Sequence, residues 1–117
     1  MKDIKRQINS HKTYHAHIYF NQDTLAFAST LCQEAGKRFD LKVGRVHQKT
    51  IGPHLEWSCQ ITFGRKHFKA LIPWLEANRK GLSILVHALS GNDLEDHTTF
   101  AYWLGDRIDL DLSMFSA

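Results

Sequence analysis

The chain has 117 residues, 43% hydrophobic and 23% charged, with a formal net charge of +3. These values describe one soluble domain with enough chain for a real core. Lys and Arg are scattered, clustering only at 2–6, 65–69 and 79–80, with no basic stripe interleaved with aromatics, so nucleic acid is not an expected partner. No apolar run approaches the roughly 20 residues of a membrane span, and no apolar stretch follows the charged N-terminus. Neither a membrane nor export is expected, which leaves a cytoplasmic location.

The first 12 residues read as an irregular polar lead-in to a single domain over 1–117. From Thr13 to Phe20 the residues alternate. Tyr14, Ala16, Ile18 and Phe20 fall on one face and His15, His17 and Tyr19 on the other, the pattern of a strand with one core face and one polar face. Asn21 is a candidate cap for a helix. Leu25, Ala28, Leu31, Cys32 and Ala35 mark its apolar stripe to about Arg38, with Gly36 near its end. Leu41, Val43 and Val46 suggest a second strand, and residues 50–53 read as a turn.

His54 to Phe63 alternates again, with Leu55, Trp57, Cys59, Ile61 and Phe63 opposite His54, Glu56, Ser58, Gln60 and Thr62. Phe68, Leu71, Ile72 and Leu75 predict a second helix closing near Asn78, with Gly81 as its αL cap. Pro73 should kink that helix or mark its true start. Leu82 to Ala88 is a fourth strand, with Leu82, Ile84 and Val86 opposite Ser83, Leu85 and His87. After the turn at 90–93, a short helix is expected from Asp93 to Trp103, ended by Gly105. Ile108, Leu110 and Leu112 then suggest an edge strand or a docked tail. Cys32 and Cys59 look like separate core thiols rather than a disulfide, in keeping with a reducing cytosol.

The order β-α-β-β-α-β with a C-terminal extension is the ferredoxin-like split βαβ arrangement, an α+β antiparallel sheet. There, strands one and three are neighbours and strand four lies antiparallel beside strand one. His87 should therefore approach His15 and His17 on the face that the helices leave uncovered. Residues two apart in a strand project side by side. Three histidines, or two with a carboxylate such as Glu56, form a ligand set for catalytic zinc or non-haem iron. The C-terminal segment could fold across this face and bring in His97, with Tyr102 and Trp103 as apolar lid residues. A lone strand histidine is more often a hydrogen-bonded polar residue, and His11, His47 and His67 read as ordinary surface residues. For His54, after Gly-Pro at a strand start, a turn-stabilising or substrate-facing role stands level with metal ligation.

The blocks Tyr14-His15-Ala16-His17-Ile18-Tyr19-Phe20, Ile51-Gly52-Pro53-His54, Leu82-Ser83-Ile84-Leu85-Val86-His87 and Ser90-Gly91-Asn92-Asp93-Leu94-Glu95-Asp96-His97-Thr98 resemble the DOPA 4,5-dioxygenase family. So does Ala101-Tyr102-Trp103-Leu104-Gly105, and the likeness runs from Thr13 to Leu112 in one order. It implies a ferredoxin-like fold and extradiol cleavage of DOPA or a related catechol by dioxygen. His15, His17 and His87 would be metal ligands for Fe(II), with Zn(II) as the other candidate ion. His54 or His97 would move protons, and Arg38, Arg45 or Arg79 could hold a substrate carboxylate. Many relatives have His-Pro where this chain has His87-Ala88, and a second proline where it has Leu55; both departures touch backbone stiffness more than chemistry. A homodimer is expected by analogy with half-covered sheets of this fold.

Three rivals belong beside this reading. A zinc-binding protein without oxygenase activity would use the same imidazoles. A two-histidine phosphoesterase would use His11-Lys12-Thr13 and His97-Thr98-Thr99, although neither triplet lies in an alternating strand. An RNA-binding module of this topology needs strand aromatics facing outward, where strand three offers Glu56, Ser58 and Gln60.

Overall fold

A computed structural model describes residues 11–50 and 52–115; the lead-in expected over 1–12 lies, up to residue 10, outside them. Alternation in the chain gives β1 (Thr13–Phe20), β3 (Trp57–Gly64) and β4 (Ile84–Ala88), with β2 (Lys42–His47) and β5 (Ala101–Leu104) at the edges. The sheet order is β2-β3-β1-β4-β5, and every neighbouring pair is antiparallel. The predicted adjacencies hold: β1 lies beside β3, with His15 opposite Thr62, and beside β4, with His15 opposite His87.

Two helices, α1 (Leu25–Phe39) and α2 (Arg65–Asn78), cover one face. Tyr14, Ala16, Ile18 and Phe20 of β1 meet Ala28, Leu31 and Ala35 of α1 and Phe68, Leu71 and Leu75 of α2 in the main core. Each large apolar side chain buried there contributes about 1.5–3 kcal/mol. The opposite face carries a smaller cluster, Tyr19, Leu85 and Ala101, covered by Trp103, Ile108 and Leu110. The segment after β5 is thus a docked tail. It is tied down by an isolated bridge between His54 and Leu110 and by the Asp111 amide donating to the Pro53 carbonyl at 2.8 Å.

Several local expectations are corrected. Asn21 does not cap α1; it closes a turn with Thr24, each side chain accepting from the other's backbone amide. The end of α1 at Phe39 agrees with the reading, and Asp40 caps it with a left-handed φ of 56°. Strand β3 begins at Trp57, leaving Leu55 exposed and His54 on the preceding loop. Helix α2 starts at Arg65 and runs through Pro73, which has no amide hydrogen to donate. The helix expected over 93–103 is only α3 (Asp93–Asp96), because 101–104 pairs with the free edge of β4. Cys32 and Cys59 are not separate thiols. Helix α1 packs against β3 in the main core, and the two sulfurs form a disulfide. Disulfides are rare in reducing compartments, so the cysteines lend no support to a cytosolic setting. Among the described residues no helix is long and apolar enough to cross a membrane.

Gly36 permits the close approach of α1 to β2: a Cβ there would lie 2.6 Å from Val43 Cγ2 and 3.3 Å from the Leu41 carbonyl oxygen. Valine is stiff at χ1 and cannot swing away cheaply. Gly36→Ala is therefore expected to lose about 1–2 kcal/mol in urea unfolding, overpacking exceeding the roughly 1 kcal/mol that alanine gains in a helix. Val43→Ala in the same chain should recover part of it; a more stable Gly36→Ala protein would show that the contact is looser than described.

Candidate metal centre

Strand geometry alone assembles the centre. His15 and His17 project from one face of β1, and His87 projects from the same face of β4, paired with His15 across the ladder. One ligand nitrogen from each lies within 4.8 Å of the others. The Nε2 atoms of His17 and His87 are 2.9 Å apart. Two nitrogens on adjacent corners of one coordination sphere have much the same spacing, since ligands about 2.1 Å from a metal at right angles lie about 3 Å apart. The donor set is three imidazoles, which suits iron and zinc alike.

Two backbone carbonyls fix where two of the rings keep a proton. The Nδ1 of His87 lies 2.9 Å from the Ala88 carbonyl, which can only accept, so His87 carries its proton on Nδ1 and its Nε2 lone pair is bare. Ligating histidines usually have such an outer partner. The same logic applies to His97, at the end of α3: its Nδ1 donates to the Asp93 carbonyl at 2.7 Å. His97 reaches the cluster as expected, its ring 4.2 Å from that of His87 and stacked on Phe115 at 4.8 Å.

His54 also joins the group. The Pro53–Asp111 and His54–Leu110 contacts hold its loop so that its ring lies 4.2 Å from His17. Its Nδ1 is 2.6 Å from the Tyr19 hydroxyl. A hydroxyl can donate to Nδ1 or accept from it, so this contact holds the ring in place without choosing its tautomer.

The cluster is almost dry: His17, His54 and His87 are 5%, 6% and 2% exposed. Loss of hydration, reinforced by the neighbouring imidazoles, holds the His17 ring well below the ordinary range. Burial brings His54 down to about 4 and His87 to about 3. His15 is lowered mainly by burial and by His97, with Asp96 pulling the other way. Burial and then Glu56 raise the Tyr19 hydroxyl, which stays protonated. The imidazoles are thus neutral near pH 7, the form that binds a metal.

Other sequence candidates fall elsewhere. Glu56 is exposed and lies before β3. Tyr102 faces the main core beside Phe68 and is no lid residue, because a strand sends adjacent side chains to opposite faces; Trp103 does face the site, stacked on Tyr19 at 5.6 Å. Arg38 is in the last turn of α1, on the helical side of the sheet, and Arg45 is exposed on β2. Arg79 is engaged by the Leu82 carbonyl at 3.3 Å and Glu76 at 3.4 Å. The Thr98 hydroxyl of the second His-x-Thr triplet donates to the Leu94 carbonyl at 2.6 Å.

Two features escaped the sequence reading. The bulge between Val43 and Val46 turns His47 to the histidine face, opposite Ser58, where it adds to the repulsion that His54 feels. Asp96, buried, accepts from the Ser90 amide at 3.0 and 3.1 Å and from its hydroxyl at 2.6 Å, fixing the turn that delivers His97. A serine six residues before a buried aspartate was the available signal.

Against known proteins, the profile described as the Dopa 4,5-dioxygenase family matches residues 14–114. A curated relative named DOPA 4,5-dioxygenase, from Amanita muscaria, is 31% identical over 121 residues, spanning 95% of this chain and 53% of its own length. An uncharacterized 21.2 kDa protein of Botryotinia fuckeliana is 34% identical over 113 residues, spanning 86% of this chain and 62% of that protein. The chain therefore covers little more than half the length of these curated relatives. A crystal structure from Nostoc punctiforme, of a protein provisionally assigned as a dioxygenase, is 34% identical with a TM-score of 0.84, covering 96% of this chain and 94% of its own. The profile covers nearly all of the described chain, and likeness in sequence and in structure agree: this chain belongs to the Dopa 4,5-dioxygenase family.

Proposed function

We propose that this protein is an extradiol ring-cleaving dioxygenase acting on DOPA or a related catechol, with His15, His17 and His87 holding one ferrous ion. The observation that carries this reading is the convergence of three neutral imidazoles, nitrogens within 4.8 Å, at a nearly dry position beside two further histidines. Iron bound there supplies a Lewis acid for the catechol oxygens and a redox partner for dioxygen. Ring opening places both oxygen atoms in the product and needs no external reductant.

The remaining work falls to the chain's own groups. His97, whose Nδ1 donates to the Asp93 carbonyl, and His54, held by the Tyr19 hydroxyl, are the groups that would move protons to and from the catechol. Trp103, Ile108 and Leu110 keep bulk water from this side of the sheet. The same donor set would accept Zn(II), so the zinc-protein reading differs in activity rather than in ligands.

The deciding experiment is oxygen uptake with visible absorbance on anaerobically iron-loaded protein and a catechol panel that includes DOPA. Uptake matched by a yellow ring-opened product is expected. Stoichiometric metal binding with no uptake on any catechol would hand the site to the zinc reading.

His17→Ala should abolish stoichiometric metal binding and keep its circular dichroism. Its loss of affinity should exceed the roughly 10–100-fold that removing an outer partner costs; full metal content in the variant would mean that the ion binds elsewhere. His54→Gln should retain metal while kcat falls on the order of 10²–10⁴-fold, and an unchanged kcat would remove His54 from proton transfer. Protons compete with a metal only where a ligand is protonated. With His87 near 3 and His17 well below its usual value, affinity should change little from pH 7.5 to 5.5 and fail at lower pH. Ligands titrating normally, at about 6.5, would each lose roughly tenfold over that interval, and such a loss would contradict the neutral cluster.

A further inference from the structure

We propose that Arg107 is the specificity residue of this site, anchoring a carboxylate on the substrate and directing the enzyme to aromatic monocarboxylates. The proposal rests on the dioxygenase reading above and adds a residue to it.

A cleft of about 480 Å³ lies between the docked tail and the α3–β5 turn, lined among others by His97, Trp103, Arg107, Asp109 and Leu110. That volume is ordinary for a small-molecule site. The cleft adjoins the metal centre through shared residues. His97 lies against His87, Trp103 stacks on Tyr19, and Ala101, also in the lining, is paired with His87 across the sheet. A flat ring entering it meets the Trp103 indole on its way to the histidines.

Arg107 is exposed and makes no ion pair with any described residue. The tail around it alternates: Ile108 and Leu110 are half-buried against Tyr19 and Leu85, and Arg107 and Asp109 remain exposed. Packing of the apolar pair therefore fixes where the charged pair emerges. A guanidinium presents a planar fork that matches a carboxylate bidentately. Asp109 sets the complementary limit, since a second anionic group on the ligand would meet like charge. None of the other arginines considered for this role lines the cleft.

The test uses the full chain, iron-loaded and kept anaerobic so that binding is read without turnover. Calorimetry compares 3,4-dihydroxyphenylacetate, which has one carboxylate, with neutral 4-methylcatechol. The carboxylated ligand is expected to bind on the order of tenfold more tightly, and Arg107→Gln should erase most of that margin. Asp109→Asn should improve binding of a catechol dicarboxylate. Equal affinities in the native protein, or an Arg107→Gln variant that keeps the margin, would overturn the assignment. A protein that shows the margin, loses it in Arg107→Gln, and never consumes oxygen would keep the anchor and sink the dioxygenase reading. Turnover without the margin would do the reverse.

Discussion

The register of β1 against β4, with His15 opposite His87 and Ala16 opposite Val86, is the constraint on which the other arrangements depend. A slip of one residue would send every side chain of β1 to the wrong face, putting imidazoles among Leu31, Leu71 and Phe63 and exposing Ile18. Burial of the apolar half against α1 and α2 makes that slip very costly. The hydrophobic core therefore fixes the side-by-side placement of the histidines, although none of them belongs to it. Fold stability and site geometry are two readings of one strand pairing.

Holding several imidazoles dry and close together opposes folding, because neutral rings lose hydration and cannot share it. The structure offsets this with specific partners: Ala88 for His87, Asp93 for His97 and Tyr19 for His54. The two carbonyl bonds also keep a proton on Nδ1 of His87 and of His97, so stabilisation and chemical readiness come from the same contacts. A bound ion would take up the bare Nε2 lone pair of His87.

Much of this was legible in the sequence where a period ran long enough. The eight residues of β1 and the alternation ending at Phe63 have one solution, and with β4 they bring His15, His17 and His87 together. Shorter segments misled. Ala101-Tyr102-Trp103-Leu104 has too few residues to separate strand from helix, and only the open edge of β4 decides it. Its misreading moved Tyr102 to the wrong face. Likewise a bulge in β2, invisible in hydropathy, turned His47 inward. The Cys32–Cys59 link depends on how α1 packs against β3, a tertiary quantity that neither local pattern contains. Arg107 stood out only once Ile108 and Leu110 were seen to dock.

The bridge between His54 and Leu110 has a kinetic consequence. Its partners are 56 residues apart in the chain, so closing that contact is entropically expensive and is rewarded only after both elements have docked. The sheet and its helical layer can form without it. Refolding is therefore expected to give a compact protein first and a complete histidine centre afterwards. In the native state, the tail and the His54 loop should be the first backbone amides to exchange with solvent, long before the strands that carry His15, His17 and His87.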